Sequence, residues 1–88
     1  MKVDEKVWLF YVLRCCDDTL YAGVTTDLKR RLLEHNTSRR GAKYTRTRRP
    51  AKLVLWLDFE NRSAAQKAEH KFKKLTREQK ENEINESR

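Results

Sequence analysis

Two short apolar runs constrain the fold of this chain more than any other feature of its sequence. Residues 7–15, VWLFYVLRC, and residues 53–59, LVLWLDF, are rich in β-branched and aromatic residues, although 39% of the chain is charged. Runs this continuous are typical of strands covered on both faces, because a half-exposed strand alternates apolar and polar residues. Both runs are therefore predicted to be interior strands, and Trp8 and Trp56 are predicted to lie in the core.

A hairpin and a first helix are predicted after the first strand. Residues 16–19, CDDT, supply turn chemistry, and residues 20–24 supply a second strand antiparallel to the first. Thr26 is placed to cap a helix that runs to about Asn36. The helical period puts four side chains of this helix in one sector that should border the packed face, namely Leu28, Arg31, Leu32 and His35.

Two capping boxes predict the helices of the last third of the chain. Ser63 with Gln66 should open one helix, and Thr76 with Gln79 should open a final, mostly charged helix. The resulting order is ββαβαα. It predicts one α+β domain over residues 1–88, in which a three-stranded antiparallel sheet of order 2-1-3, with a right-handed crossover, is flanked by three helices.

The basic charge of the chain is concentrated in one segment. Residues 28–52 hold ten Lys and Arg against one acid, a net +9 in a chain whose total is +8. Within them, residues 37–50 show no helical or strand period, and irregular connections of this length are usually functional. Localised basic charge is typical of proteins that bind phosphate backbones, although membranes and acidic proteins attract it too. We predict DNA as the partner, with RNA as a further possibility, contacted by Arg39, Arg40, Lys43, Tyr44, Arg46, Arg48 and Arg49.

The cysteines and the N-terminal residues exclude several other classes. Cys15 and Cys16 are adjacent, which is neither C-x-x-C redox spacing nor zinc-ligand spacing, so two reduced thiols are predicted. The opening MKVDEK carries acids and precedes only seven apolar residues, which fits neither a signal peptide nor a spanning helix. We expect a cytoplasmic protein that does not associate with membranes.

A set of spaced polar side chains points to a chemical site. Two tyrosines lie on the hairpin strands, and a glycine two residues after the second lets a backbone approach a ligand. An arginine and a histidine four residues apart share one face of the first helix, and a glutamate lies beside the apolar stripe of a later helix. These residues are Tyr11, Tyr21, Gly23, Arg31, His35 and Glu69.

These residues resemble the signature of the GIY-YIG nuclease family. Residues 9–11, LFY, stand where the family has its first triplet and keep only its tyrosine, whereas residues 21–23, YAG, match the second triplet more fully. The resemblance covers residues 8–75. The chain is most similar to small bacterial single-domain members of uncharacterised function, which share segments such as LYAGVTTDLKRRLLEHN and GAKYTRTRRP.

The resemblance implies a metal-dependent endonuclease that hydrolyses DNA phosphodiester bonds with low sequence specificity, in DNA repair or processing. Glu69 would hold Mg²⁺ or Mn²⁺, and Arg31 would contact the scissile phosphate. Tyr11 or Tyr21 would position or deprotonate water, with His35 as an alternative base or acid. Nearby cations and the metal are expected to depress the pKa of the tyrosine that acts as base.

Two other functions stay open at this point. A noncatalytic module would use the basic loop, residues 39–49, to bind DNA or RNA without cutting it, and an adaptor would use the same loop to bind an acidic protein. Each site residue also has an ordinary explanation by itself, such as a strand aromatic or a salt-bridged helix acid. The observation that separates these readings is whether five side chains meet at one place: Tyr11, Tyr21, Arg31, His35 and Glu69.

Overall fold

The computed structural model describes residues 7–87 of the chain; residues 1–6, on which the prediction about the N-terminus partly rests, lie outside them. The predicted α+β class is confirmed. The sheet has the predicted strand order, but four helices flank it, since a short helix lies in the segment predicted to be irregular. The elements are β1 (Trp8–Arg14), β2 (Leu20–Thr25), α1 (Leu28–Thr37), α2 (Lys43–Arg46), β3 (Lys52–Phe59), α3 (Arg62–Lys73) and α4 (Arg77–Glu86).

Strand β1 lies at the centre of the sheet and is antiparallel to both neighbours. The β1–β2 turn forms as its residues predict: the Asp17 carboxylate accepts from the backbone N–H of Thr19 at 3.2 Å and from its hydroxyl at 2.6 Å. Asp18 takes the left-handed conformation, with φ of 70°, which aspartate tolerates better than most residues. The turn therefore aligns β1 and β2 in one register along their length.

Helices cover both faces of the sheet. On one face, α3 and α4 pack on alternate residues of β1, in a core that contains Phe10, Val12, Leu55, Phe72 and Ile84. On the other face, α1 packs on the intervening residues of β1, in a core that contains Tyr11, Leu13, Cys15 and Ala51, with Leu28 and Leu32 against it. Burial of β1 on both faces accounts for its continuous apolar sequence.

Two helices begin at caps other than those predicted. Asp27, not Thr26, caps α1, because its carboxylate reaches the backbone N–H of Arg30 at 3.1 Å. Asn61, not Ser63, caps α3. In both cases a short oxygen-bearing side chain lies three residues before a free backbone N–H, which is the geometry that capping requires. Several residues near each helix start satisfy this pattern, so sequence alone does not select among them.

Helix α4 is held by a cap at its N-terminus and by an ion pair to strand β1. The predicted capping box of Thr76 and Gln79 is present. Arg14 of β1 donates two hydrogen bonds to the Glu81 carboxylate, at 2.9 and 2.7 Å. A hydrogen bond from Arg14, with a smaller contribution from one by Arg77, lowers the pKa of Glu81 to about 2. These contacts hold a mostly polar helix against the sheet.

Strand β3 is an edge strand with an exposed middle. Leu55 is 2% exposed, whereas Trp56 is 54% and Leu57 is 42% exposed. The prediction that β3 and Trp56 are interior is wrong: the order 2-1-3, which was itself predicted, leaves β3 at an edge with one neighbouring strand. Trp8 is half-buried, with the Arg62 guanidinium 5.5 Å from its ring centroid.

Two further predictions concern the cysteines and membranes. Cys15 is buried and Cys16 is exposed, and both are free thiols, as predicted. Among residues 7–87, no helix has both the length and the apolar character that a membrane crossing requires.

Candidate active site

The candidate site is built around Tyr11 in the middle of the central strand. Tyr11 pairs with Gly23 of β2, and Tyr21 pairs with Leu13, so the two tyrosines are diagonal neighbours on one face. A Cβ atom at Gly23 would lie 2.6 Å from the Tyr11 hydroxyl oxygen and 2.8 Å from Cζ. The space that the glycine leaves is thus filled by the phenol ring of Tyr11, not kept open for an approaching ligand.

His35 connects Tyr11 to the basic loop. Its ring is fully buried, with Nε2 2.8 Å from the Tyr11 hydroxyl and Nδ1 2.8 Å from Thr45 Oγ1. The Thr45 hydroxyl donates its proton to the Ala42 carbonyl at 2.9 Å. His35 Nδ1 therefore carries the proton that it donates to Thr45, and Tyr11 donates to Nε2. The Ala42 amide approaches Nδ1 only at 3.4 Å, too long to favour the opposite tautomer.

Burial sets the protonation states of this pair. It raises the pKa of Tyr11 to about 12, although a hydrogen bond from Arg31 acts in the other direction. The expectation that cations would depress the tyrosine pKa is therefore wrong for Tyr11, because desolvation outweighs them. Burial, with the charge of Arg31, lowers the pKa of His35 to about 4. Both side chains are neutral at pH 7.

The low pKa of His35 predicts a loss of stability in mild acid. The unfolded chain takes up a proton near pH 6.5 and the folded chain only near pH 4, so the free energy of unfolding falls as pH drops between these values. The expected loss is about 2 kcal/mol between pH 7.5 and pH 5. Urea denaturation at several pH values measures it. A His35→Gln variant should lack this slope, and parallel pH profiles for the two proteins would contradict the assignment.

Arg31 reaches the same hydroxyl from α1. Its Nη1 donates to the Glu34 carboxylate at 3.0 Å and to the Arg40 carbonyl at 2.6 Å, which leaves the rest of the guanidinium facing Tyr11. The side chain is only 25% exposed. A guanidinium held in this way has little freedom left to lose when it binds a phosphate.

Glu69 approaches from α3. Its side chain is 16% exposed, and Lys73 Nζ lies 2.9 Å from its carboxylate. The negative charge of Glu69 and the positive charge of Arg31 both act on the ionisation of Tyr11. The structure thus brings three predicted residues to one phenol, namely Tyr21, Arg31 and His35, and the charge of Glu69 acts on it from α3.

A metal site at Glu69 would have a single carboxylate ligand from the protein. Residues 7–87 contain no cluster of three or more His, Cys, Asp or Glu side chains that could hold a metal. Mg²⁺ is commonly held by one or two carboxylates, with water and substrate phosphate completing its six ligands. A single partly buried carboxylate fits that arrangement. Glu69 would therefore bind Mg²⁺ or Mn²⁺ weakly until a phosphate arrives.

The basic loop folds back on the site through α2. Tyr44 stacks on Tyr21, with ring centroids 5.9 Å apart and an interplanar angle of 26°. The guanidinium of Arg48 lies 4.0 Å from the Tyr44 ring centroid and is paired with Asp17 at 3.1 Å. The ring that was predicted to stack on a base is thus engaged by two protein groups. Part of the loop charge is neutralised by the hairpin turn.

A second loop arginine caps the carbonyl groups at the C-terminal end of α1. Arg49 donates to the carbonyls of His35 and Ser38, both at 2.6 Å, where a helix leaves its last carbonyls unpaired. Gly41 makes this close contact possible, since a Cβ there would lie 2.6 Å from the Glu34 carbonyl oxygen. The predicted nucleic-acid contacts that remain exposed are Arg39, Arg40, Lys43, Tyr44 and Arg46.

Thr45 is the site residue that the sequence did not reveal. It is fully buried and orients His35, yet it lies in a segment with no periodic pattern. A lone threonine among arginines resembles an ordinary loop residue. Its role depends on α2, a single turn whose formation depends on tertiary contacts more than on helix propensity.

Comparison with known proteins places the chain in a family. A family model described as the GIY-YIG catalytic domain matches residues 7–82. A UPF0213 protein of Bacillus velezensis is 53% identical over 79 residues, which covers 90% of this chain and 79% of that protein. A UPF0213 protein of Listeria innocua is 52% identical over 77 residues, covering 88% of this chain and 84% of the relative.

Two solution NMR structures support the same placement. A protein of E. faecalis is 50% identical, with a TM-score of 0.64 over 96% of this chain and 88% of that one. A UPF0213 protein of Bacillus halodurans is 39% identical, with a TM-score of 0.58 over 90% of this chain and 83% of that one. The sheet order, the tyrosine and arginine positions and these matches agree, and the chain belongs to the GIY-YIG family, among its UPF0213 proteins.

Proposed function

We propose that the chain is a metal-dependent endonuclease that hydrolyses DNA phosphodiester bonds. The observation that carries the proposal is the meeting of Arg31 with the Tyr11–His35 pair, where the charge of Glu69 also acts on the phenol. Phosphodiester hydrolysis needs a cation against the phosphate, an oxygen ligand for a metal and a group that orients water. Membership of a family named for its catalytic domain supports the same reaction.

Each side chain has a role that its surroundings favour. Arg31 would balance charge that develops on the phosphate, since it is already held beside Tyr11. Glu69 would hold the metal ion, which when bound lowers the pKa of water and polarises a phosphoryl oxygen. His35 is fully buried with both ring nitrogens engaged, so it would act through Tyr11 and not directly on water.

The two tyrosines differ in access to the substrate. Tyr11 is 1% exposed and its hydroxyl donates to His35. Tyr21 is half-buried, and its ring contacts those of His35 and Tyr44. A pKa of about 12 makes a standing phenolate of Tyr11 negligible at pH 7. Tyr11 would therefore position the site as a neutral phenol, and Tyr21 would orient the attacking water.

This division predicts that one conservative substitution mainly lowers cleavage and that another mainly lowers stability. Tyr21→Phe should lower cleavage by about 100-fold or more, while stability changes by less than about 0.5 kcal/mol. Tyr11→Phe should destabilise the protein by about 1–3 kcal/mol, because it leaves the buried Nε2 of His35 without a donor. Single-turnover cleavage and urea denaturation measure the two effects. Full activity in Tyr21→Phe would contradict the assignment.

The basic loop would supply affinity without base readout. Its exposed cations, Arg39, Arg40, Lys43 and Arg46, suit phosphate contacts, which position a nucleic acid but do not read its sequence. Apart from the single turn α2, they lie on irregular backbone, not on a long helix or a two-stranded ribbon of the kind that the major groove admits. We therefore propose low sequence specificity.

The proposal is tested by incubating the protein with end-labelled DNA as duplex, single strand and branched junction. Product should form with Mg²⁺ or Mn²⁺ and not with EDTA. Binding in EDTA without product under any metal would instead support a noncatalytic binding module. The single carboxylate of the candidate metal site is the observation that favours this second function.

A further inference from the structure

An exposed tryptophan lies next to the candidate site. Trp56 of β3 pairs directly with Tyr11 of β1, so the two side chains project from the same face of the sheet. Neighbouring strands are about 4.8 Å apart. The Tyr11 ring leans the other way, over Gly23. Trp56 is 54% exposed.

The surroundings of Trp56 suit a flat apolar ring. The indole lines a groove of about 260 Å³ together with Leu53, Val54 and Ser87, and among residues 7–87 no charged side chain lines it. Nucleobases bind proteins by stacking on aromatic side chains and against apolar walls. Trp56 lies on the strand next to the one that carries Tyr11, a residue of the proposed site.

Pairing with a second copy does not account for the exposed indole. Between Val12 and Leu13 the β1–β3 register shifts, which bends the edge strand at Val54, and charged residues lie near both ends of β3, at Lys52 and Asp58. Bulges and edge charges are the features by which proteins prevent strand-to-strand association. The edge is therefore protected against another strand, while the indole on its face stays accessible.

We infer that Trp56 stacks on an unpaired base of the nucleic acid whose phosphate lies at Tyr11, Arg31 and Glu69. The inference rests on the proposed function and narrows its substrate class. The base faces of a continuous duplex are covered by neighbouring bases, so a base must leave the stack to reach an indole. The substrate is a nucleic acid with an unstacked base beside the cleaved bond, as in single strands, branch points or damaged sites, in preference to intact duplex.

Tryptophan fluorescence and affinity in EDTA test this inference without turnover. A single-stranded oligonucleotide should quench the emission of the wild-type protein, and most of that quenching should be lost in Trp56→Phe, which still contains Trp8. Trp56→Ala should weaken single-strand binding by about tenfold, and Trp56→Phe by less, because it keeps an aromatic ring. Affinity for blunt duplex should change by less than about twofold. The control is Leu33→Ala, which removes another exposed apolar side chain, 61% exposed, from α1.

The possible results separate this inference from the proposed function. Undiminished single-strand binding by Trp56→Ala, while the wild-type protein binds and cuts, would overturn the stacking role and leave the nuclease standing. A wild-type dimer in sedimentation that Trp56→Ala converts to monomer would overturn it in favour of a second copy on β3. Wild-type protein that neither binds nor cuts any nucleic acid would remove both.

Discussion

Glu69→Gln is expected to lower metal-dependent cleavage by at least about 100-fold, the usual cost of removing a group that stabilises developing charge. The substitution keeps the shape of the side chain and removes the charge that would hold the metal. Folding should be little affected, because the partner of Glu69 in the structure is Lys73, which is 56% exposed, and an exposed pair on a helix contributes at most a few tenths of a kcal/mol.

Two comparisons make the Glu69 result specific. Glu78→Gln, at an exposed acid in the first turn of α4, is the matched control and should cut like the wild-type protein. DNA binding in EDTA should be retained by Glu69→Gln, since the basic loop is unchanged. Wild-type cleavage by Glu69→Gln would remove this residue from the metal site, whatever the fate of the other assignments.

Gly23→Ala is expected to impair folding and activity together. The new methyl group would lie 2.6 Å from the Tyr11 hydroxyl oxygen. The ring cannot move aside, because Tyr11 is only 1% exposed and its hydroxyl is hydrogen-bonded to His35. Overpacking of this kind costs about 1–3 kcal/mol. Any shift of the phenol also moves the centre of the candidate site, so cleavage should fall further than the loss of folded protein explains.

A double-substitution cycle identifies the clash as the cause. In a Tyr11→Leu background the phenol ring is absent, and adding Gly23→Ala should then cost much less than it does in the wild-type protein. Additive free energies of unfolding would show that the glycine is needed for its backbone conformation or for another contact, and not for the space above it.

The fold was largely predictable because its strongest signals are local. The continuous apolar residues of β1 indicate burial on both faces, and the turn chemistry at Asp17 is satisfied within the turn itself. The edge position of β3 follows from the predicted order 2-1-3, but its apolar residues resemble those of an interior strand and gave the wrong burial for Trp56. Exposure of Trp56 depends on what packs over that face of the sheet, and composition does not encode that.

The sequence predicted which residues form the candidate site, but not their protonation or their hydrogen-bond partners. Spacing brought Arg31 and His35 to one helix face, and their meeting with Tyr11 follows from the sheet order. The direction of the Tyr11 pKa shift was missed because desolvation depends on the complete packing around the ring. The role of Arg49 was also missed. Its charge suggested a contact to nucleic acid, whereas in the structure it donates to a carbonyl at the end of α1.

The central claim is that a metal ion and a phosphate meet at Glu69 beside Tyr11, and paramagnetic broadening by Mn²⁺ tests it most directly. With a noncleavable oligonucleotide bound to ¹⁵N-labelled protein, low Mn²⁺ should broaden the amide signals of Glu69 and Gly23 first, and this effect should vanish in Glu69→Gln. Broadening centred on other acids, such as Asp17 and Asp18 in the hairpin turn, would contradict the claim, as would identical broadening in the wild-type and Glu69→Gln proteins.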